Sequence, residues 1–191
     1  MDFPKKPNHE VRTQFEMDLL HQAQGMSESS PPSPWKNEIL IPASGCIACG
    51  WDRNENLVLI SSLGYSITEV ATGALIHRDR DAELVDSRMS HNQLSFELPI
   101  DDEVIDIFGF EAGDGIKVTN DGWSVQVIYP WWPRASVILE HLFRANYQYL
   151  KDATLLDIKR LDGDLKCGFS PTGKSLVILG SGGAVVYSRT H

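Results

Sequence analysis

The segment Gly168 to Ser175, GFSPTGKS, has the residue types of a phosphate-binding loop and fits G-x-x-x-x-G-K-[ST] at every required position. That loop works because backbone N–H groups and a helix N-terminus hold the phosphates, so a helix must follow it. Here Ser175 is followed by LVILGSGGAVVY, which is typical of two strands joined by a glycine turn. We therefore interpret Lys174 as a solvated turn residue and predict no nucleotide site.

The cysteines Cys46 and Cys49 lie in the segment CIAC and have the C-x-x-C spacing of redox and metal sites. A redox pair needs a helix N-terminus to lower a thiol pKa, whereas this pair leads along a predicted strand. A zinc site needs two more ligands, and Cys167 is the one remaining cysteine. We interpret all three as small buried residues, and we predict no disulfide framework, metal or cofactor.

The six histidines match no known catalytic motif, and the chain contains no G-x-S-x-G segment. The segment HRDRD, His77 to Asp81, is either an ionic or catalytic cluster or a solvated strand end. A hydrolase-type enzyme would need a site built from loops at one end of the fold, joining for example His77, His141 or Asp121. We keep that enzyme as the alternative function and assign no catalytic residue.

The stretch from Met89 to Ile116 carries seven carboxylates and no lysine or arginine, in a chain of net charge −9. This density is typical either of a solvated loop or of a docking face for a cationic partner, because acidic complementarity speeds encounter and sets specificity. The spacing lacks the pattern of a calcium loop. The carboxylates are Glu97, Asp101, Asp102, Glu103, Asp106, Glu111 and Asp114.

The segment YPWWP, Tyr129 to Pro133, is the second candidate for an interface. Adjacent side chains of an extended chain point to opposite faces, so Trp131 and Trp132 cannot both enter the core. An exposed tryptophan suits an interface hot spot, and the alternative is packing of one ring in the core and of the other under the loop. The following segment from Pro133 is read as a strand with a helical turn, or as a helix.

Residues 8–24 predict an N-terminal helix, with Asn8 as N-cap, Gly25 as the stop and an apolar stripe that includes Val11, Phe15 and Leu19. A linker rich in serine and proline follows. We expect residues 1–35 to form this helix and linker, and residues 36–191 to form a single domain.

The rest of the chain repeats. Gly50, Gly109 and Gly168 each precede an aromatic residue and lie 59 residues apart, and a second glycine follows in each copy, at Gly64, Gly122 and Gly183. Each copy alternates short β-branched segments with turn residues, which predicts an antiparallel meander. The repeats lie near 45–98, 99–160 and 161–191.

The segments GFSPTGKSLVILGSGGAVVYS and LGYSITEVATGALI resemble parts of a WD-repeat blade of a β-propeller. The resemblance implies a scaffold that commonly presents binding surfaces. We predict an all-β fold of three propeller-like antiparallel meander repeats of about 59 residues with an N-terminal α-helix, existing as a monomer or homodimer.

The 42% hydrophobic and 23% charged composition is that of a globular protein, and a pI near 5.0 disfavours nucleic acid and anionic membranes as partners. No segment resembles a secretory signal, so we expect a cytoplasmic protein. We predict a non-catalytic module that binds a basic protein, in its most specific form an acidic bacterial immunity protein that neutralises a basic toxin. The expected partner-binding residues are Asp101, Asp102, Glu103, Asp106, Glu111, Asp114, Trp131 and Trp132.

Overall fold

The structure is a computed structural model that describes residues 12–158, 161 and 163–189. Within these residues it contains two helices and fourteen strands. The helices are α1 (Gln14–Gln24) and α2 (Ala82–Arg88). The strands are β1 (Glu28–Ser29), β2 (Trp35–Pro42), β3 (Cys46–Trp51), β4 (Leu57–Ser61), β5 (Gly64–Glu69), β6 (Ala74–Asp79), β7 (Ser95–Leu98), β8 (Glu103–Gly109), β9 (Trp123–Trp131), β10 (Arg134–His141), β11 (Thr154–Leu156), β12 (Lys166–Phe169), β13 (Ser175–Gly180) and β14 (Gly183–Arg189).

The strands form three sheets. Sheet A has the order β1-β11-β10-β9, sheet B the order β12-β13-β14-β2, and sheet C the order β6-β5-β4-β3-β8-β7. Every pair is antiparallel except β1 with β11. The prediction of a mostly β, antiparallel fold with a short N-terminal helix is therefore confirmed.

Sheet B joins the strand that follows the expected linker to the last strand of the described chain. Strand β2 pairs along the whole of β14, from Gly183 opposite Pro42 to Arg189 opposite Trp35. Trp35 is fully buried and packs its ring against Trp123 and Phe169. Because burial of a tryptophan removes a large apolar area from water, this residue ties the end of the expected linker firmly into the core.

The first and third repeat copies share one hairpin. Gly64 starts β5 opposite Ser61, and Gly183 starts β14 opposite Gly180. The second copy differs, because its first strand, β8, pairs with β3 and β7 in sheet C while β9 and β10 belong to sheet A. Between them, Ile116 and Val118 form only isolated bridges. The three copies are thus unequal in the structure.

The first glycine of each repeat lies where two backbones approach closely. A Cβ atom on Gly50 would lie 2.5 Å from the Asp106 carbonyl oxygen, and one on Gly168 would lie 2.8 Å from the Gly115 Cα. A Cβ on Gly109 would overlap the Ile47 carbonyl oxygen. The Gly-aromatic spacing therefore marks contacts between copies, which only glycine permits.

Helix α1 begins later than predicted. Its N-cap is Thr13, whose hydroxyl accepts a hydrogen bond from the Glu16 backbone N–H at 3.3 Å, and Glu16 returns the contact to Thr13 in a capping box. That reciprocal pair fixes the start of the helix, so Arg12 and Thr13 are not helical. Asn8 and Val11, the predicted cap and first stripe residue, lie outside the described residues.

The described part of residues 1–35 packs against sheet A. Ala23 is buried with Ile138 and Leu155, and the Gln24 side-chain amide donates to the Pro130 carbonyl at 2.8 Å. Strand β1 of the expected linker pairs with β11. The segment after Pro133 forms strand β10, which agrees with the strand interpretation and not with the helical one.

Candidate functional site

A groove forms where the three Gly-aromatic segments meet, and we call it the acidic groove. Its volume is about 610 Å³. Carboxylates on its rim come from the β3–β4 turn, strand β8 and the segment before Ile116, and aromatic side chains of three different segments form its floor. The rim carboxylates are Asp52, Glu103, Asp106 and Asp114, and the floor aromatics are Trp51, Phe108 and Phe169.

Strand β8 contributes six consecutive residues, Glu103 to Phe108, to the lining of the groove. Ile105 and Ile107 are buried in the core with Phe96, so Val104, Asp106 and Phe108 take the other face. Val104 is 67% exposed and Asp106 is exposed, whereas Phe108 packs into the core at the base of the groove.

The β3–β4 turn shapes one wall. The Asp52 Oδ1 atom accepts hydrogen bonds from the backbone N–H groups of Asn54 at 2.9 Å and Asn56 at 2.8 Å. Such an Asx turn rigidifies the chain locally. Glu55 then bridges to the neighbouring β12–β13 turn, accepting from the Thr172 backbone N–H at 2.9 Å and from its hydroxyl at 2.7 Å.

Much of the acidic stretch is paired. Arg53 donates from Nη2 to Asp101 at 2.6 Å and from Nε to Glu103 at 3.0 Å. The hydrogen bond to Glu103, followed by the charge of Asp101, raises the pKa of Arg53. The guanidinium therefore neutralises part of the rim while it keeps its own charge at every physiological pH.

Three further ion pairs, formed by two cationic side chains, reduce the negative potential of the stretch. Arg88 contacts Glu97 and donates to Asp102 at 3.2 Å, and Lys117 Nζ lies 3.2 Å from the Asp114 carboxylate. The Asp106 side chain differs from all of these because it forms no ion pair or hydrogen bond with any other described residue, although its backbone lies in the β7–β8 ladder. It is the rim carboxylate that is free to bind a cation.

The structure brings Glu103, Asp106 and Asp114 of the predicted site residues together. Asp101 and Asp102 lie beside the rim in their ion pairs, and Glu111 is exposed outside the groove lining. Asp52, Arg53 and the aromatic floor escaped the sequence interpretation as site residues. The signal for Trp51 and Phe169 was present, since both are aromatic residues of the Gly-aromatic repeat.

The tryptophans of YPWWP lie elsewhere. They end the β9–β10 hairpin of sheet A, with Trp131 58% and Trp132 80% exposed, and the Trp132 ring packs against Tyr129. Trp131 lines a separate groove beside α1. No contact among the described residues connects this pair to the acidic groove.

The segment GFSPTGKS and the three cysteines belong to strands and turns of the sheets. Gly168 to Ser175 forms the end of β12, a turn and the start of β13, and the described residues after it hold no helix. Cys46, Cys49 and Cys167 are buried free thiols, and burial raises the pKa of each, to about 12 for Cys46. Such thiols are poor nucleophiles. Among the described residues, no group of three or more His, Cys, Asp or Glu side chains is arranged to hold a metal ion.

The residues named for an enzyme occupy three separate environments. His77 packs against Tyr65, His141 lies against Trp123 and Phe143, and Asp121 is held by Arg189 at 2.6 Å. The Arg189 hydrogen bonds hold the pKa of Asp121 far below its usual value. No hydrogen bond or ion pair among the described residues joins the side chains of any two of these three groups.

Searches with protein-family models, among curated proteins and among solved structures find no match to this chain. In the described residues, neither helix is long and apolar enough to cross a membrane.

Proposed function

We propose that this protein is a non-catalytic protein-binding module whose acidic groove takes a basic segment of a partner protein. The observation that carries the proposal is the unpaired, exposed carboxylate of Asp106 above an apolar floor. Four carboxylates and one guanidinium line the groove, so its net charge is negative even with Arg53 in place.

The combination of an aromatic floor and an acidic rim matches lysine and arginine side chains. Their aliphatic stems bury against apolar surface while the cationic head stays near water, and arginine also stacks on aromatic rings. Val104 and Ile116, which are 67% and 47% exposed, extend the apolar surface from the groove outward. A loop or extended segment that presents one or two basic residues fits this volume.

The immunity-protein hypothesis is the most specific form of the proposal. It adds one requirement, that the complex blocks the activity of a basic toxin. Acidic complementarity supports this form, because rapid encounter is what an inhibitor of a toxic partner needs. The test is whether the captured basic protein loses its activity when the acidic groove is occupied.

We infer in addition that the domain is built from three propeller-like repeats. The shared hairpins at Gly64 and Gly183 support this inference, as does the pairing of the N-terminal strand β2 with the C-terminal strand β14. An experimental structure that shows β3, β8 and β12 surrounding one common axis would support it, and three unrelated axes would contradict it.

Binding is tested with lysine-rich and arginine-rich octapeptides, followed by capture of proteins from the native host at low and high salt. We expect Asp106→Asn to weaken peptide binding about three- to tenfold, because it removes the free carboxylate. Glu111→Gln is the matched control, since it changes the net charge equally but lies outside the groove. Equal weakening by both variants would indicate nonspecific attraction and would contradict the proposal.

A further inference from the structure

A second groove lies at the opposite end of strand β4, and we call it the basic groove. Its volume is about 420 Å³. Three strands of sheet C supply its base, and Ala43 with Ser44, just after β2 of sheet B, supplies its wall. The residues that carry the argument are Ser61, Gly64, Ser66, Arg78 and Arg80.

The register of the three strands places Ser61, Gly64, Ser66 and Arg78 on one face. Ser66 pairs with Leu59 on one side and with Arg78 on the other. Two positions along, Ser61 pairs with Gly64, whose backbone lies against that of Arg80. Side chains of paired residues share a face, so Arg78 projects from the same side as Ser66, and Arg80, the first residue after β6, also lines the groove.

Gly64 creates the hollow between these side chains. Its φ is +140°, and a Cβ atom there would overlap the Asp79 carbonyl oxygen and lie 2.8 Å from the Arg80 Cα. The position therefore has to be glycine, and the face has no side chain at its centre. Asp79, which occurs between the two arginines in sequence and pairs with Tyr65, also lines the groove, so two guanidinium groups and one carboxylate leave the groove with a net positive charge.

Neither arginine of the groove forms an ion pair with a described residue. Arg53, Arg88, Arg134 and Arg189 each form an ion pair, whereas Arg78 and Arg80 form none with the described residues. The Ser66 side chain adds a second, independent observation. Ser66 is only 7% exposed, lines the groove, and its hydroxyl has no hydrogen-bond partner in the described part of the chain.

We propose that the basic groove binds an oxyanion, the carboxylate or phosphate group of a ligand. Two guanidinium groups supply paired N–H donors that match the geometry of such a group, and the Ser66 hydroxyl supplies a third donor at the base. The site is separate from the acidic groove, so it goes beyond the proposed function. It gives a role to the segment HRDRD, which the proposed function does not use.

The test is titration of the ¹⁵N-labelled full chain with inorganic phosphate and, separately, with succinate, at constant ionic strength set with chloride. We expect saturable shifts of the backbone amide signals of residues 61–66. Saturation by phosphate alone assigns a phosphate-bearing ligand, saturation by succinate alone assigns a carboxylate, and saturation by both assigns a general oxyanion site; each result supports the proposal.

Variants establish where the anion binds. We expect Arg78→Gln and Arg80→Gln each to weaken binding about tenfold, because each removes a charge-assisted hydrogen bond. Arg144→Gln, which changes an exposed arginine in the segment after β10, is the matched control and should leave binding unchanged. Absence of saturable shifts in the wild type, or equal weakening by Arg144→Gln, would overturn the proposal.

A last variant distinguishes recognition by the guanidinium hydrogen bonds from attraction by positive charge alone. Arg78→Lys keeps the positive charge but loses the planar pair of donors, so we expect it to weaken binding by an intermediate factor. All three arginine side chains are exposed, and unchanged amide signals in sheets A and B would show that the variants fold normally. Full binding by Arg78→Lys together with full binding by Arg78→Gln would also overturn the site.

Discussion

The two grooves at the ends of strand β4 differ in the sign of their charge and in how much of it is neutralised by ion pairs. At the Leu57 end, Arg53 neutralises Asp101 and Glu103, and Asp106 remains unpaired among the rim carboxylates. At the Ser61 end, Arg78 and Arg80 are both unpaired. The five residues of β4 separate the two by about 17 Å. The charge available to a ligand depends on which side chains form ion pairs. Counting charged residues along the sequence does not show this.

The largest effect should come from Gly64, whose replacement damages both the fold and the basic groove. We expect Gly64→Ala to lower the free energy of unfolding by about 3 to 5 kcal/mol, because a Cβ overlaps the Asp79 carbonyl at a backbone angle that disfavours other residues. Urea unfolding measures this change.

Two glycines serve as controls for that variant. Gly183 takes the same repeat position, with φ +139° and a Cβ that would overlap the Ile41 carbonyl, so Gly183→Ala should cost as much and spare the basic groove. Gly113 has φ +88° with open space around it, so Gly113→Ala should cost only about 1 to 2 kcal/mol. If the free energy of unfolding fell by a similar amount at all three positions, the backbone angle alone, and not close packing, would explain why both hairpins have glycine at this position.

A third region, on sheet A, contains a buried carboxylate that forms no ion pair with a described residue. Glu140 is 2% exposed, and its Oε2 atom makes no hydrogen bond of good geometry. Its Oε1 atom lies 3.5 Å from the Gln126 amide. Burial raises the pKa of Glu140 above its ordinary 4.5, and the nearby Tyr147 hydroxyl and Leu150 backbone amide offset only part of that rise.

The raised pKa predicts how stability depends on pH. The folded state favours the protonated carboxyl, so the stability that Glu140 contributes is fully present below its ordinary pKa and is lost as the pH rises through the folded pKa. We expect Glu140→Gln to raise the free energy of unfolding at pH 7 by about 1 to 3 kcal/mol. Below pH 4 we expect no gain.

Urea unfolding of the wild type and of Glu140→Gln at pH 4, 5.5 and 7 checks this prediction. Glu111→Gln again serves as the control, because Glu111 is exposed and should leave the pH dependence unchanged. A variant that loses stability equally at every pH would show that Glu140 is held by hydrogen bonds that outweigh the cost of burying its charge.

Local features of the fold were predictable from the sequence, because turn residues and β-branched segments determine them. The hairpins at Gly64 and Gly183 are examples. The pairing of β2 with β14 and of β8 with β3 was not predictable, since these contacts join distant parts of the chain. A repeat pattern identifies a unit, but it does not determine which neighbour each strand will pair with.

The same limit applies to the grooves. The acidic stretch was evident from residue types, but Arg53 lies 48 residues before Asp101 in the chain, and only folding makes it the counter-charge. The arginines of HRDRD were visible too, yet the hollow beside them depends on the register between β5 and β6. The sequence therefore predicted which acidic and basic residues could form a site. Only the structure showed which of them are neutralised by ion pairs and which remain available to a ligand.

Substitution of Arg53 should change the free energy of unfolding least, but it should change the affinity for basic peptides in a defined direction. Its ion pairs are exposed, so Arg53→Gln should change the free energy of unfolding by no more than about 1 kcal/mol. The same variant releases Asp101 and Glu103, so the acidic groove gains negative potential. We expect basic octapeptides to bind faster and about two- to fivefold more tightly at low salt, with the gain lost at high salt because exposed charges are screened. This is opposite in sign to the effect of Asp106→Asn, and weaker binding by Arg53→Gln would mean that the guanidinium itself belongs to the recognition surface and orients the two carboxylates for the partner.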